Sequence, residues 1–245
     1  MGCPPMIRIG LLGYSGRMGQ LIAQEITADD SCLLAGGMAR SLSPNAPKTG
    51  DPLFSSQARD VITVSDLVID FTSAEITPTH ANLAAEQGKA FMSGTTGLSA
   101  AGIETLKQAA QKIPVLYAPN TSLSLAATKQ VVALAAKLLG TFDYDVAILD
   151  EHHRMKKDAP SGTAKALGEA VTAGNGGAKQ PSYAAIRAGH IVGEHEVIFA
   201  GEDEIIRIHH SVSSRRIFAR GALQAALWLH GKPKEFYGMD DVLGI

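Results

Sequence analysis

Cysteine, charge and long apolar runs are all scarce in this 245-residue sequence. Two cysteines, Cys3 and Cys32, are too few for a disulfide framework, which indicates a reducing compartment. A net charge of −2 argues against a protein that holds nucleic acid by neutralising many phosphates. The most apolar stretch, residues 123–140, is interrupted by Lys129 and Lys137, which favours a buried helix over a membrane span. We therefore expect a cytoplasmic protein with neither nucleic acid nor a membrane as partner.

Apolar residues make up 45% of the chain, which is enough for a folded core. In the first 120 residues, short apolar runs alternate with segments of helical periodicity. The runs, at 7–12, 32–38, 67–71, 89–92 and 115–117, are predicted strands, and 18–27, 77–86 and 100–112 are predicted helices. Strands without polar alternation that are separated by helices indicate a Rossmann-like, doubly wound parallel sheet. The Pro-rich segment 41–57 is predicted to be a loop or a degraded strand–helix segment.

The second half has a different pattern, typical of an α+β domain. Helices are predicted at 123–139 and 162–172, and strands at 145–149, 183–187, 191–199 and 204–212, with a polar loop at 150–158. The mixed polar and apolar strands predict an open mixed or antiparallel sheet, whose exposed face is suited to a partner subunit. A last helix at 216–229 is expected to close the chain and return to the first half. Residues 1–122 and 216–245 would then form a dinucleotide-binding domain, and 123–215 a substrate-binding and oligomerisation domain.

A glycine-rich turn follows the first predicted strand. Its spacing is G-x-x-G-x-x-G, from Gly13 through Gly16 to Gly19, and a helix begins directly after it. Glycines there let the backbone approach a pyrophosphate, which then rests on the N–H groups of the helix N-terminus. The alternative is a glycine-rich turn without a ligand. The predicted cofactor-binding residues of this turn are Gly13, Tyr14, Ser15, Gly16, Arg17 and Met18.

The end of the second strand bears on the choice of cofactor. An NAD site usually has an acidic residue about 20 residues after the glycines, where it binds the ribose 2′-hydroxyl. Residues 31–50 contain no acid, whereas Arg40 is suited to bind a 2′-phosphate. We therefore predict NADPH as the preferred cofactor, with NADH as the second candidate. A solvated Arg40 in a surface loop is the alternative.

Two later strand ends fit the same crevice, because ligands gather at the carboxyl ends of parallel strands. One is the turn Gly94-Thr95-Thr96-Gly97, and the other is Ala118-Pro119-Asn120-Thr121. Both supply backbone amides and polar side chains that suit a nicotinamide carboxamide. From spacing alone, ordinary polar turns are an equally good interpretation.

The densest chemistry lies between residues 150 and 163. Eight of the nine residues 150–158 can carry charge, in a chain with 19% charged residues. A helix follows with Ser161 as a natural N-cap, so its free N–H groups would hold an anion such as a substrate carboxylate. A solvated surface loop is the plain alternative. Zinc is not expected, because the adjacent His152 and His153 do not easily share one metal and no cysteine lies nearby.

Two arginines precede the last helix. Arg215 or Arg216 could grip a second carboxylate with a bidentate pair of hydrogen bonds. Surface arginines near a helix start are the alternative.

Together these segments resemble the dihydrodipicolinate reductase family, whose members are the 4-hydroxy-tetrahydrodipicolinate reductases of lysine and diaminopimelate biosynthesis. The block Glu151-His-His-Arg-Met-Lys-Lys-Asp-Ala-Pro-Ser-Gly-Thr-Ala is the specific part of the resemblance. The glycine turn and the segments Asp70-Phe71-Thr72, Gly94-Thr95-Thr96 and Ser213-Ser214-Arg215 match in order, so the resemblance spans nearly the whole chain. One departure is Thr121, because the family commonly has a phenylalanine there, near the nicotinamide.

The resemblance implies a reaction and a role for each residue. A hydride from NADPH would reach C4 of the conjugated cyclic imine that is left after the hydroxy-tetrahydrodipicolinate loses water, and the resulting enamine would then be protonated. Lys156 would be the proton donor and His152 a second acid/base or electrostatic participant. His153, Ser161, Gly162, Thr163 and Arg215 would bind the dicarboxylate substrate, and Phe71 would join the cofactor site. The family is typically tetrameric, which implies a homotetramer. The alternatives are another two-domain NADP oxidoreductase of amino-acid metabolism and a nucleotide-sensing regulator without catalysis.

Overall fold

The computed structural model describes residues 6–39 and 52–245. The chain divides into two units, Met1–Ser122 with Arg216–Ile245, and Leu123–Arg215. The functional roles expected for these units remain predictions. Among the described residues, no helix combines the length and apolar character that crossing a membrane requires.

A seven-stranded sheet forms the centre of the first unit, and every neighbouring pair in it is parallel. Its strands are β1 (Ile7–Leu12), β2 (Cys32–Met38), β3 (Leu53–Ser55), β4 (Leu67–Asp70), β5 (Ala90–Ser93), β6 (Val115–Tyr117) and β11 (Phe236–Tyr237). They lie in the order β11-β6-β5-β4-β1-β2-β3. The apolar runs form strands because they are buried on both sides, as in Ile9 and Leu11, which have no exposed surface. The predicted Rossmann-like sheet is confirmed.

Helices connect these strands and cover the sheet. They are α1 (Arg17–Thr27), α2 (Ala58–Thr63), α3 (Thr77–Glu86), α4 (Ala100–Ala110), α7 (Arg216–Leu229) and α8 (Met239–Leu243). Helix α4 begins where the Ser99 hydroxyl accepts a hydrogen bond from Gly102 N, as expected of a serine N-cap. Helix α7 packs against α1, and both Arg216 and Arg220 of α7 pair with the buried Glu25 of α1.

Within the segment 41–57, Leu53–Ser55 pairs with β2 as a short edge strand, so the described part of the segment fits the predicted degraded strand rather than the predicted loop. Two other features of this unit differ from the sequence-based expectation. The helix 216–229 does not close the chain, because β11 and α8 follow it and β11 adds to the edge of the sheet beside β6. Phe71 lies just beyond β4, since the strand ends at Asp70.

The second unit contains one four-stranded sheet and two helices. Its elements are α5 (Leu123–Leu139), β7 (Asp145–His152), α6 (Gly162–Gly174), β8 (Ser182–Arg187), β9 (Glu194–Ala200) and β10 (Ile205–Ser211). The strand order is β10-β9-β7-β8, with β7 and β8 parallel and the other pairs antiparallel. The expected mixed sheet is confirmed. Its core packs side chains of the sheet against α5 and α6, as at Ile148, Phe199 and Val132.

Strand β7 is longer than the sequence indicates. The charged residues predict a loop from Asp150, but the strand continues through Glu151 to His152 and keeps its partner strands. Half-buried and buried positions alternate along most of it, which turns Ile148, Asp150 and His152 to the covered face. A carboxylate and an imidazole are thereby placed inside the second unit.

Candidate active site

A cavity of about 780 Å³ opens in the first unit at the carboxyl ends of β1, β2 and β4. This is the edge at which a doubly wound sheet binds its ligand. Of the predicted cofactor residues, Gly13, Ser15, Gly16 and Phe71 line it. The sequence did not reveal its other walls, which are Met38, Ala39, Ser56, Gln57, Ala58, Arg59, Thr72, Ser73, Ile76, Thr79, His80 and Leu83.

The glycine turn is built so that no side chain fills it. Gly13 has a φ of +88°, and a Cβ there would lie 2.4 Å from the Phe71 carbonyl oxygen. A Cβ on Gly19, in the first turn of α1, would lie 2.2 Å from the Gly13 oxygen. The close approach of turn and helix leaves a cradle at the α1 N-terminus, which fits the pyrophosphate of a dinucleotide.

A buried carboxylate organises the ends of β4 and β5. Asp70 has no exposed surface, and its two oxygens accept hydrogen bonds from Thr72 at 2.7 Å and Thr77 at 2.5 Å. His80 Nδ1 lies 3.2 Å from Asp70 Oδ1, and the Thr95 hydroxyl lies 3.3 Å from Oδ2. Asp70 therefore ties the predicted cofactor residue Thr95 to the helix α3 that forms a wall of the cavity.

The remaining predicted cofactor residues lie around the same sheet edge. Tyr14 packs its ring against Phe54, with 4.9 Å between centroids. The Phe71 ring occupies the space beside Gly94, where a Cβ would lie 2.1 Å from it. Arg17 and Met18 start α1, Thr96 is exposed, and Ala118, Pro119 and Asn120 follow β6. Arg40 lies outside the described residues.

Thr121 is held inside the first unit. It is buried, and its hydroxyl donates a hydrogen bond of 2.7 Å to the Phe218 carbonyl. The threonine that replaces the family's common phenylalanine thus binds α7. Its contact with the cofactor stays a prediction.

In the second unit, polar groups converge on Asp150. This carboxylate has no exposed surface, and its Oδ2 accepts hydrogen bonds from Ser161 N at 2.8 Å and Arg187 Nη2 at 2.7 Å. Its Oδ1 lies 2.9 Å from His152 Nδ1 and 3.4 Å from His195 Nε2. Burial raises the pKa of Asp150, but Arg187 and the Ser161 N–H outweigh it and hold that pKa below its usual value.

The segment that carries His153 and Lys156 is held at both ends. Arg187 donates to the Asp150 carbonyl at 3.0 Å and to the Asp158 carbonyl at 2.7 Å. Within the segment, Lys156 N donates to the His153 carbonyl, and Lys156 Nζ lies 3.0 Å from Asp158 Oδ1. The ammonium of Lys156 is thus placed by a folded turn and keeps 23% of its side chain exposed.

The N-terminus of α6 adjoins Asp150 through Ser161. Ser161 is 1% exposed, and its hydroxyl accepts a hydrogen bond from Ala164 N, as predicted for an N-cap. The backbone N–H of Ser161 donates a hydrogen bond to Asp150 Oδ2. Gly162 and Thr163 start the helix beyond this cap, and Gly162 is exposed. The positive end of the α6 dipole therefore lies at the predicted anion site. Ser161 faces inward, where it caps the helix and binds Asp150.

The two arginines before α7 differ in their partners. Arg216 pairs with Glu25 within the first unit. Arg215 is exposed and makes no ion pair with any residue that the structure describes. Of the two, Arg215 is the guanidinium without a competing carboxylate in the described part of the chain.

Three histidines of the second unit lie side by side across its sheet, on the neighbouring strands β7, β9 and β10. The rings of His152 and His195 are 5.1 Å apart, and His195 and His210 are 6.3 Å apart. Burial is the main cause that lowers the pKa of all three, and it lowers the pKa of His195 to about 4. His195 is therefore neutral in the folded protein at pH 7.

This burial predicts a stability that depends on pH. The unfolded chain takes up a proton at His195 near pH 6.5, whereas the folded chain does so only near pH 4, so stability falls as pH drops through this window. The loss amounts to about 3 kcal/mol in the free energy of unfolding. Urea unfolding of the protein and of His195→Gln at pH 7.5 and 4.5 measures it. Equal pH dependence of the two proteins would contradict the assignment.

Among the described residues, Asp150, His152 and His195 have ligand atoms within 4.8 Å of one another, which is close enough for a metal ion. In the sequence His152 is adjacent to His153. His195 is distant in the sequence, so spacing does not predict that it lies beside His152. The Arg187 guanidinium already pairs with the Asp150 carboxylate. The positive charge of Lys156 adds to burial in lowering the pKa of His152. A further cation would be repelled there, so the absence of a metal remains our prediction.

Comparisons with known proteins bear on the family to which the chain belongs. Residues 7–121 match the family model described as dihydrodipicolinate reductase, N-terminus, and residues 125–243 match the model for its C-terminus. The chain belongs to the dihydrodipicolinate reductase family. It is 42% identical over 260 residues to the 4-hydroxy-tetrahydrodipicolinate reductase of Granulibacter bethesdensis, covering 98% of this chain and 97% of that protein. The protein of the same name from Gluconacetobacter diazotrophicus is 40% identical over 257 residues, covering 98% of each chain.

A solved structure shows that the fold is shared by a distant family member. The dihydrodipicolinate reductase of Paenisporosarcina sp. TG-14, bound to dipicolinate, superposes with a TM-score of 0.84 at 22% identity. The match covers 97% of this chain and 99% of that one. At this identity the likeness bears on the fold alone.

Proposed function

We propose that the protein reduces 4-hydroxy-tetrahydrodipicolinate to tetrahydrodipicolinate with a nicotinamide dinucleotide. The observation that carries the proposal is the convergence of His152, the Lys156 turn and the α6 N-terminus around Asp150. These are the groups that a reductase of a dicarboxylate imine requires, because the reaction needs a proton donor beside a site for an anion. Full-length relatives of that name support the same substrate.

The proposed chemistry divides between hydride and proton. A dinucleotide held in the cradle at Gly13 and Gly19 would supply the hydride to the conjugated imine that remains after the hydroxy compound loses water. Lys156 donates the proton to the enamine, and its positive charge also attracts the dianionic substrate. His152 is the second acid/base or electrostatic group. His153, Ser161, Gly162, Thr163 and Arg215 bind or support the two carboxylates.

One assay separates the candidate functions. NADPH oxidation is followed optically, with the condensation product of pyruvate and aspartate semialdehyde as substrate. Turnover supports the reductase, and binding of NADPH without turnover indicates a nucleotide-sensing regulator. Turnover only with other imines or carbonyl compounds indicates a different NADP oxidoreductase.

NADPH is the proposed preferred cofactor, and Arg40 is the proposed reason. No acidic residue lies among the described residues of β2 and its end, so the structure offers no partner there for a ribose 2′-hydroxyl. Arg40→Ala should lower kcat/KM for NADPH about tenfold or more while changing that for NADH little. Arg59→Ala is the comparison variant, because Arg59 is an arginine that lines the cavity and already pairs with Glu86. An unchanged ratio of the two kcat/KM values in Arg40→Ala would refute the role of Arg40.

Arg215 is the proposed grip on the second carboxylate. Arg215→Ala should raise the substrate KM about tenfold or more and leave the NADPH KM unchanged, because a charge-assisted bond to the substrate is lost. Steady-state kinetics with each substrate varied in turn measures both constants. A rise confined to the NADPH KM would move Arg215 to the cofactor site.

We also propose a homotetramer with subunit contacts through the open sheet. Tyr183 and Ile186 of β8 and Ile205 and Ile206 of β10 are apolar and at least 40% exposed, which is consistent with a covered surface in an assembly. Ile186→Lys with Ile206→Lys should lower the mass measured by sedimentation. An unchanged mass would place the contacts elsewhere.

A further inference from the structure

Two buried polar atoms in the second unit face each other without a well-directed hydrogen bond. Asp150 Oδ1 and His152 Nδ1 are 2.9 Å apart, and neither atom makes a well-aligned hydrogen bond with any described residue. A buried polar atom without a partner costs free energy, and His152 Nδ1 is a closer partner for Asp150 Oδ1 than His195 Nε2, which lies 3.4 Å away. A carboxylate oxygen only accepts, which requires that Nδ1 carry the proton.

The carboxylate is fixed before it meets the imidazole. Its other oxygen accepts from Arg187 on β8 and from Ser161 N at the start of α6. Two elements other than β7 therefore set its orientation. The same contacts hold the pKa of Asp150 low, so it remains an acceptor at neutral pH.

The imidazole is confined on its other sides as well. The His195 ring packs edge-on against it, and His195 Nε2 lies 3.2 Å from the Ser161 hydroxyl. His152 Nε2 lies beside Gly193, where a Cβ would come within 3.2 Å of it. The lack of a side chain at Gly193 leaves room around that nitrogen.

We infer that Asp150 is a positioning residue that holds His152 as its Nδ1–H tautomer and leaves Nε2 as the nitrogen available to the reaction. The inference deepens the proposed function and rests on it for its catalytic meaning. Since the same carboxylate holds the N-cap of α6, it also fixes the proposed anion site relative to His152. The charged and titratable groups around the pair are Lys156, Arg187 and His195.

The tautomer is directly measurable in the full-length protein. Nitrogen-15 NMR of histidine-labelled protein at pH 7.5 distinguishes a protonated Nδ1 from a protonated Nε2, and His152→Gln assigns the signal of His152. We expect a protonated Nδ1 and an unprotonated Nε2. A protonated Nε2, or rapid averaging of the two tautomers, would overturn the inference without any variant at Asp150.

Asp150→Asn tests the consequence for the reaction, with the exposed Asp143→Asn as control. Because an amide can donate as well as accept, we expect a mixed or reversed tautomer and a fall in kcat of about tenfold or more. The NADPH KM should stay unchanged, since that site lies in the first unit. In the His152→Gln background the same substitution should change kcat less than about twofold. Equal effects in both backgrounds would indicate a purely structural role and contradict the inference.

The two proposals fail in different ways. Absence of turnover with the wild-type protein would refute the proposed reductase, while a protonated Nδ1 would still establish what Asp150 does to His152. Turnover together with a protonated Nε2 would refute the positioning role alone. If Asp150→Asn does not fold, the wild-type spectrum still decides the tautomer.

Discussion

Lys156→Ala should lower kcat about 100-fold or more, which is the usual loss when a general acid is removed. The Lys156 ammonium lies at the surface of a turn that Arg187 and backbone hydrogen bonds hold at its ends, so the substitution leaves those bonds intact. Its partner Asp158 is exposed and remains solvated. The loss should therefore appear in catalysis and leave the free energy of unfolding nearly unchanged.

A second variant separates the proton from the charge. Lys156→Arg keeps a cation that attracts the dicarboxylate but does not give up a proton at neutral pH. We expect a substrate KM near the wild-type value together with a kcat as low as in Lys156→Ala. Lys157→Ala is the matched control, because Lys157 is the exposed neighbour. A loss of less than about threefold in a folded Lys156→Ala protein would exclude Lys156 as the donor.

Gly19→Ala should have the largest effect on cofactor binding. The added Cβ would lie 2.2 Å from the Gly13 oxygen and 2.7 Å from the Tyr14 oxygen, and backbone atoms cannot yield as a flexible side chain does. The helix and the glycine turn must therefore separate, at a cost of about 1–3 kcal/mol or more. We expect the NADPH dissociation constant to rise about tenfold or more, with a lower Tm.

The measurement is a fluorescence titration with NADPH beside thermal unfolding. Gly102→Ala is the control, since it is also a helical glycine of the first unit and its Cβ would meet neighbours only at 3.4 Å. The substrate KM should change much less than the NADPH constant. Wild-type NADPH affinity in Gly19→Ala would show that the close packing of this turn has no role in binding.

Local patterns predict the elements whose burial is uniform. Strands β1 and β2 begin and end where their apolar runs do, because both faces of that sheet are covered. The Ser161 cap is equally visible, since serine at a helix start has a local partner. The family resemblance then predicts the roles of His152 and Lys156, which the local pattern does not assign.

The parts of the fold and the site that local patterns do not predict depend on partners that are distant in the sequence. The sequence places Asp150 in a loop because charged residues are rarely buried, yet Arg187 lies 37 residues away and neutralises it in a strand. Asp70 is another buried carboxylate with a partner that is distant in the sequence, because it accepts a hydrogen bond from the Thr95 hydroxyl at the end of another strand. Buried positions alternate through His152, but Asp150 and His152 are polar, so the hydrophobic pattern of the sequence does not show that β7 continues to His152.

The division of the chain has a consequence for its synthesis. The second unit is one continuous segment, whereas the first needs residues from both ends of the chain. A ribosome therefore releases all of the second unit before α7 can reach α1, or β11 can pair with β6. Until then the β6 edge of the nascent sheet has no strand beside it, and unpaired edges promote association between chains. The segment from Arg216 to Ile245 thus acts as the closing step of folding, and a chain stopped before it would be an aggregation hazard.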